Sequence, residues 1–109
     1  MYDTPKELFE NKRYKGLDLS VKMFYGILYT MARDERDGVI NGKPCLLVTN
    51  DELAELCEIS NKTVISYKKQ LKEYDLITER RQGLGKPNIT IVSLPMSVNV
   101  LDVDEEVVL

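Results

Sequence analysis

Two helix-start signals eleven residues apart, at Thr49 and Ser60, constrain this chain more than any other feature. Residues 49–77 read TNDELAELCEISNKTVISYKKQLKEYDLI. Thr49 and Glu52 stand in the T-x-x-E arrangement of a capping box, in which hydroxyl and carboxylate each satisfy a backbone N–H that the first helical turn leaves open. Val48 and Leu53 are spaced for a hydrophobic staple around it. The predicted first helix has one apolar face, made by Leu53, Leu56 and Cys57. Ser60 then caps a second helix, and Ile59 and Val64 repeat the staple. Only residues 58–60 are left for the turn between them.

Counting 100° per residue along the second helix puts Val64, Tyr67 and Leu71 together, with Tyr74 at their edge and Lys62, Ser66, Lys69 and Glu73 opposite. One face is core and the other is open. Two short helices, a tight turn and a polar, basic outer face form the arrangement that lays a second helix in the major groove of DNA. The same lysines also suit an ordinary solvated surface, and the residues that follow weigh between the two. Residues 76–79 read as a strand. After it, ERRQGLGKPNITIV carries the breakers Gly83, Gly85 and Pro87-Asn88, then an alternation with Ile89, Ile91 and Ser93 on one side and Thr90 and Val92 on the other. This is a hairpin with a long basic tip bearing Arg80, Arg81 and Lys86, the wing of a winged helix. Between positions 62 and 88 stand seven Lys or Arg against Glu73, Asp75 and Glu79, a balance of +4 in a chain of net charge −3. Such separation is expected where one face meets phosphates and the others meet water.

At 109 residues the chain can bury one hydrophobic core. It contains no run of eighteen apolar residues and no basic-then-apolar leader, so neither a membrane span nor a secretory signal is expected, and the expected compartment is the cytoplasm. Histidine is absent, which removes the usual zinc ligand sets and the commonest general base. Cys45 and Cys57 read as reduced core residues, although their spacing leaves a disulfide open. No glycine-rich turn leads from a strand into a helix, and no carboxylate pair stands in a context that raises a pKa. An enzyme, a cofactor and a metal are therefore not expected.

The remaining segments complete an α+β fold, a winged helix-turn-helix with a short N-terminal helical arm. The arm covers residues 1–19, the winged-helix domain 20–94, and an acidic tail, extra strand or linker 95–109. In the arm, Thr4 is expected to cap a short helix with Pro5 at its first position and Glu7 closing a capping box. Leu8 and Phe9 supply its apolar face, with Tyr14 and Leu17 as further anchors, packed on the body or on a second subunit. From residue 20 to about 36, Val21, Phe24, Leu28 and Met31 form a helical stripe that Tyr25, Ile27 and Ala32 widen. The stripe is broad enough to need the sheet or a dimer partner over its edge. Gly26 within it marks either close helix packing or an unconstrained position. Gly38 ends the helix, Asn41-Gly42 makes a turn, and residues 45–48 read as the first strand. The tail carries Asp102, Asp104, Glu105 and Glu106.

With these parts placed, the chain resembles the amino-terminal domain of the replication initiator A proteins of plasmids from Gram-positive bacteria. The resemblance rests on the arm PKELFENKRYKGLDLS, the helix opening VKMFYGILYTMARDE, Leu53 with Leu56, SNKTVISYKKQLKEYDLI, and RRQGLGKPN in the wing. It covers about positions 5–91. It implies a self-associating winged helix that binds repeated DNA sites at a plasmid origin, within a longer initiator whose further domain contributes to replisome loading with host proteins. Lys68 departs from it, standing where an apolar residue is usual, so its stem should lie along the core while the charge escapes. Asp75 stands where glycine commonly ends the second helix.

The sequence thus assigns double-stranded DNA as partner. Lys62, Thr63, Ser66 and Lys69 are expected at base edges or flanking phosphates, and the helix start at Ser60 and Asn61 at a phosphate through its amides. Arg80, Arg81 and Lys86 are expected to straddle the backbone or enter a minor groove. Two rivals share the fold: a transcription regulator with the same contacts, and a protein-interaction winged helix suggested by the acidic total charge and the apolar arm.

Overall fold

Thr49 and Glu52 make the reciprocal bonds that their spacing demands. In the computed structural model, which describes residues 2–97, the Thr49 hydroxyl accepts from the Glu52 amide at 3.1 Å and the Glu52 carboxylate accepts from the Thr49 amide at 3.0 Å. The element order is α1 (Glu7–Glu10), a 3-10 turn (Lys12–Tyr14), α2 (Leu19–Asp34), β1 (Gly38–Ile40), β2 (Lys43–Leu46), α3 (Asn50–Cys57), α4 (Asn61–Glu73), β3 (Ile77–Arg80) and β4 (Ile89–Val92). Glu58, in the left-handed conformation at φ 56°, ends α3, and the Ser60 hydroxyl accepts from the Thr63 amide at 3.0 Å to start α4. Asp75, at φ 58°, ends α4 in the conformation that glycine usually supplies. It turns the chain so that Leu76 and Ile77 enter the core.

The apolar face of α4 is the expected one, with Val64 and Leu71 buried and Tyr67 and Tyr74 packed at its margin. That of α3 is narrower. Leu53 is fully buried and Cys57 half-buried, but Leu56, expected in the core, is 46% exposed. Ala54 and Cys57 pack against the core on one flank of Leu53, and Leu56 falls on the other flank, outside that arc. Both cysteines are unbonded thiols, and burial pushes the Cys57 thiol up.

The sheet has the order β1-β2-β4-β3, antiparallel throughout. β1 goes beyond the sequence reading. Asn41 and Gly42, at φ 51° and 79°, form the two-residue turn that matches the twist of a tight hairpin, so the three residues before it pair with β2. β2 accordingly begins at Lys43 and stops at Leu46, which leaves Leu47 exposed, its amide donating to the Asp37 carboxylate at 2.8 Å.

Helix α2 is covered on more than one side. Val21, Phe24, Tyr25, Leu28 and Ala32 are buried, and the Phe24 ring meets Tyr67 of α4 edge-on at 5.4 Å. The Tyr25 hydroxyl donates to the Ser93 carbonyl, and burial pushes its pKa up. The arm covers the other side. Asp3 donates its amide to Thr30 Oγ1 at 2.8 Å and pairs with Arg33 at 2.7 Å. A side chain at Gly26 would come within 2.3 Å of Thr4 Oγ1, so this glycine admits an extended strand of chain, not a neighbouring helix. Thr4 is consequently not the cap expected of it. α1 begins two residues after Pro5, with Lys6 at its N-cap and no side-chain cap bond. Leu8, Tyr14 and Leu17 are buried inside their own chain, whereas Phe9 is half-exposed under the Lys22 ammonium at 5.1 Å. Residues 95–97 run back beside the arm, where the Met96 amide donates to the Tyr14 hydroxyl at 2.8 Å. The edge strand or linker expected further along the tail lies outside the described residues.

Candidate nucleic-acid interface

The exposed side of α4 is built by the same caps that start the helix. Ser60 takes up the Thr63 amide and bonds its hydroxyl at 2.8 Å, and helix geometry leaves the amides of Asn61 and Lys62 for an outside acceptor. The Asn61 side chain donates to Asp51 at the start of α3, so it ties the two helices of the motif together. Thr63 is half-buried, while Lys62, Ser66 and Lys69 are exposed along one stripe. The sequence reading missed Ile65. It lies on the same stripe and is 54% exposed, although the 100° count that aligned Lys62 and Lys69 also includes it.

Arg80 ends β3, and Arg81 and Lys86 follow in the loop, all three exposed. The loop is closed by a 3.4 Å bond from the Lys86 amide to the Gly83 carbonyl and by Gln82 Nε2 donating to the Pro87 carbonyl at 2.8 Å. Leu84 stands at its tip, 99% exposed between two glycines.

Helix and wing are joined by a charge cluster that corrects the expectation for Lys68. Its ammonium does not escape to solvent. Lys68 is 3% exposed, and its Nζ donates to Glu79 Oε2 at 3.1 Å, because β3 lays that carboxylate across the helix between Lys68 and Lys72, which stand one turn apart. Lys72 reaches the other oxygen of Glu79 from the half-exposed side. Burial pushes the Glu79 carboxyl up, but the bond from Lys72 and the charge and bond of Lys68 outweigh it and hold it below the usual glutamate range. Two of the seven basic residues therefore serve the fold. Lys62, Lys69, Arg80, Arg81 and Lys86 remain as the outward positive charges, which fall on α4 and the wing beside it. At the base of the wing, Asn61, Lys68, Glu79, Pro87 and Asn88 line a polar cleft of about 300 Å³.

A helix-turn-helix followed directly by a basic β-hairpin, with a third helix behind, defines a winged helix-turn-helix domain. The chain matches the family Replication initiator protein A (RepA) N-terminus over residues 1–103, and it belongs to that family. Among solved structures it is similar to the N-terminal domain of a DNA-binding protein, with a TM-score of 0.76 and 26% identity over 97% of this chain and 85% of that one. It is also similar to a protein in a Rep–DNA complex, with a TM-score of 0.77 and 26% identity over the same shares, and to an MDR initiator, with 0.74 and 25% identity over 97% and 88%. Comparison with curated protein sequences gives no match.

Proposed function

We infer that this domain binds double-stranded DNA sequence-specifically at repeated sites of a plasmid replication origin, as the DNA-recognising part of an initiator acting in the cytoplasm. The observation that carries the reading is the exposed stripe of α4 held beside the basic wing by the Lys68–Glu79 pair. In this arrangement Lys62, Ser66 and Lys69 meet the major groove and its rims, with Thr63 and Asn61 at the helix start. The amides after Ser60 take a phosphate, and Arg80, Arg81 and Lys86 follow the backbone into the neighbouring minor groove. Support comes from family membership and from the likeness to a protein in a Rep–DNA complex.

Self-association belongs to this proposal as pairing of two domains on adjacent repeats. The apolar arm that argued for a dimer of the free protein is folded into its own chain, with Leu8 and Tyr14 buried there. Host replication proteins would be met through a further domain of a longer initiator, and the acidic segment beyond residue 94 would serve as the connection to it. Among the described residues no helix is long and apolar enough to cross a membrane.

Fluorescence anisotropy with a duplex carrying the origin repeat, against a scrambled duplex of equal composition, tests the reading. Preference for the repeat of about a thousandfold or more is expected, as for specific binding in general. Equal, weak binding to both would overturn it in favour of a protein-interaction module.

A further inference from the structure

Ile65 is the one large apolar side chain on a face of α4 otherwise made of lysine, serine and glutamate. Lys62, Ile65, Ser66 and Lys69 fall within about 100° of the helix circumference, opposite the buried Val64 and Leu71. Along the axis, Lys62 and Lys69 are about 10 Å apart, close to three base-pair steps, and Ile65 and Ser66 lie between them. If the flanking lysines reach phosphates on either side, the two middle residues face base edges. Ile65 is the fifth residue of the helix, within the N-terminal part that contacts bases in this motif.

An isoleucine at that position gains nothing from water. Its branched side chain is a poorer helix former than the alanine, lysine or glutamate that suit an exposed site. It also cannot bond the N7, O6, N6 or O4 groups that bases present in the major groove, and it would strip water from them without replacing it. One major-groove group rewards it: the C5 methyl of thymine. We propose that Ile65 is a specificity-determining residue that reads a thymine methyl, so that the recognised repeat carries a thymine opposite the middle of α4. This rests on the DNA-binding reading above and deepens it. Ser66, whose hydroxyl bonds several base edges, leaves the neighbouring base less sharply defined.

The test is a double-mutant cycle between protein and DNA. A duplex is selected by the wild-type protein from a randomised library, and each thymine in it is replaced singly by deoxyuridine. This removes one methyl and leaves every hydrogen-bonding group in place. Wild type is expected to lose about fourfold in affinity at one or two positions, the factor for one buried methyl-sized group. Ile65→Ala should bind the unmodified duplex correspondingly more weakly and show no further loss from deoxyuridine there, whereas Ile65→Val should keep most of the discrimination. Since the site is exposed, circular dichroism should be the same for all three proteins. A wild type indifferent to every deoxyuridine, or an Ile65→Ala protein that keeps the full penalty, would overturn the assignment while sequence-specific binding stood. Failure of the library to yield any preferred duplex would instead remove the DNA-binding reading along with it.

Discussion

Replacing Glu79 by glutamine changes one charge and almost no volume, yet it should be among the most destabilising substitutions in this domain. The side chains of Lys68 and Glu79 are 4% and 12% exposed, so the ammonium of Lys68 has no route to water. Lys72, at 45% exposure, can swing into solvent when its partner disappears, and its half of the cluster contributes less than about 1 kcal/mol. The cost therefore falls on Lys68. Breaking a buried pair from one side costs about 3 kcal/mol or more, because the remaining charge stays desolvated. For a domain of this size, that loss corresponds to a fall in Tm on the order of 15 °C. Urea unfolding followed by circular dichroism measures it. Adding Lys68→Met to Glu79→Gln should recover most of the loss, since an apolar side chain of similar length suits that position. The pH dependence has a definite sign. The folded carboxyl is held below its ordinary value of 4.5, so its stabilisation is complete above that value and is lost as pH falls through the folded one. Wild type and Glu79→Gln should therefore converge in acid. A loss below about 1 kcal/mol at pH 7, or no recovery in the double variant, would refute the idea that the cluster holds the wing to the helix.

Lys69→Ala should leave Tm nearly unchanged, since its side chain is exposed on the outer stripe, and should weaken binding to the repeat duplex by anisotropy. Lys86→Ala should lower the slope of log K against log salt by about 0.9 with the ratio of cognate to scrambled affinity unchanged, whereas Arg81→Ala should also reduce preference for A·T-rich flanks. Unchanged affinity and slope in both would put the wing off the DNA. Gly26→Ala should lower stability by about 1 kcal/mol despite the gain in helix propensity, because the new methyl presses on Thr4 and the Asp3 carbonyl. In thermal melts, deletion of residues 1–4 should abolish that penalty.

The helix-turn-helix was legible in the sequence because its signals are local. Thr49 with Glu52, and Ser60 with Thr63, bond across three residues, and the Val64, Tyr67, Leu71 face follows from one period. The misreadings depended on partners distant in the chain. Thr4 has the local pattern of a cap, but Asp3 and Thr30, 27 residues apart, hold this segment against α2 instead. Lys68 looked like a misplaced charge until β3 brought Glu79 to it. β1, with only three residues, is too short for a periodicity to show, and only the Asn41-Gly42 turn announced a hairpin there. For the candidate interface, the count that aligned Lys62, Ser66 and Lys69 already contained Ile65, which a search for polar and basic residues passes over.

In the proposed function the outer stripe of α4 and the adjoining wing together form the DNA-binding face. Amide chemical-shift mapping of the nitrogen-15-labelled protein, titrated with the selected duplex, tests it residue by residue. The largest changes are expected at positions 60–69 and 80–88, and little change around the groove between Arg36, Val39 and Leu94, at the end of β4 away from the wing loop. Changes concentrated on that groove, with α4 and the wing unperturbed, would contradict this.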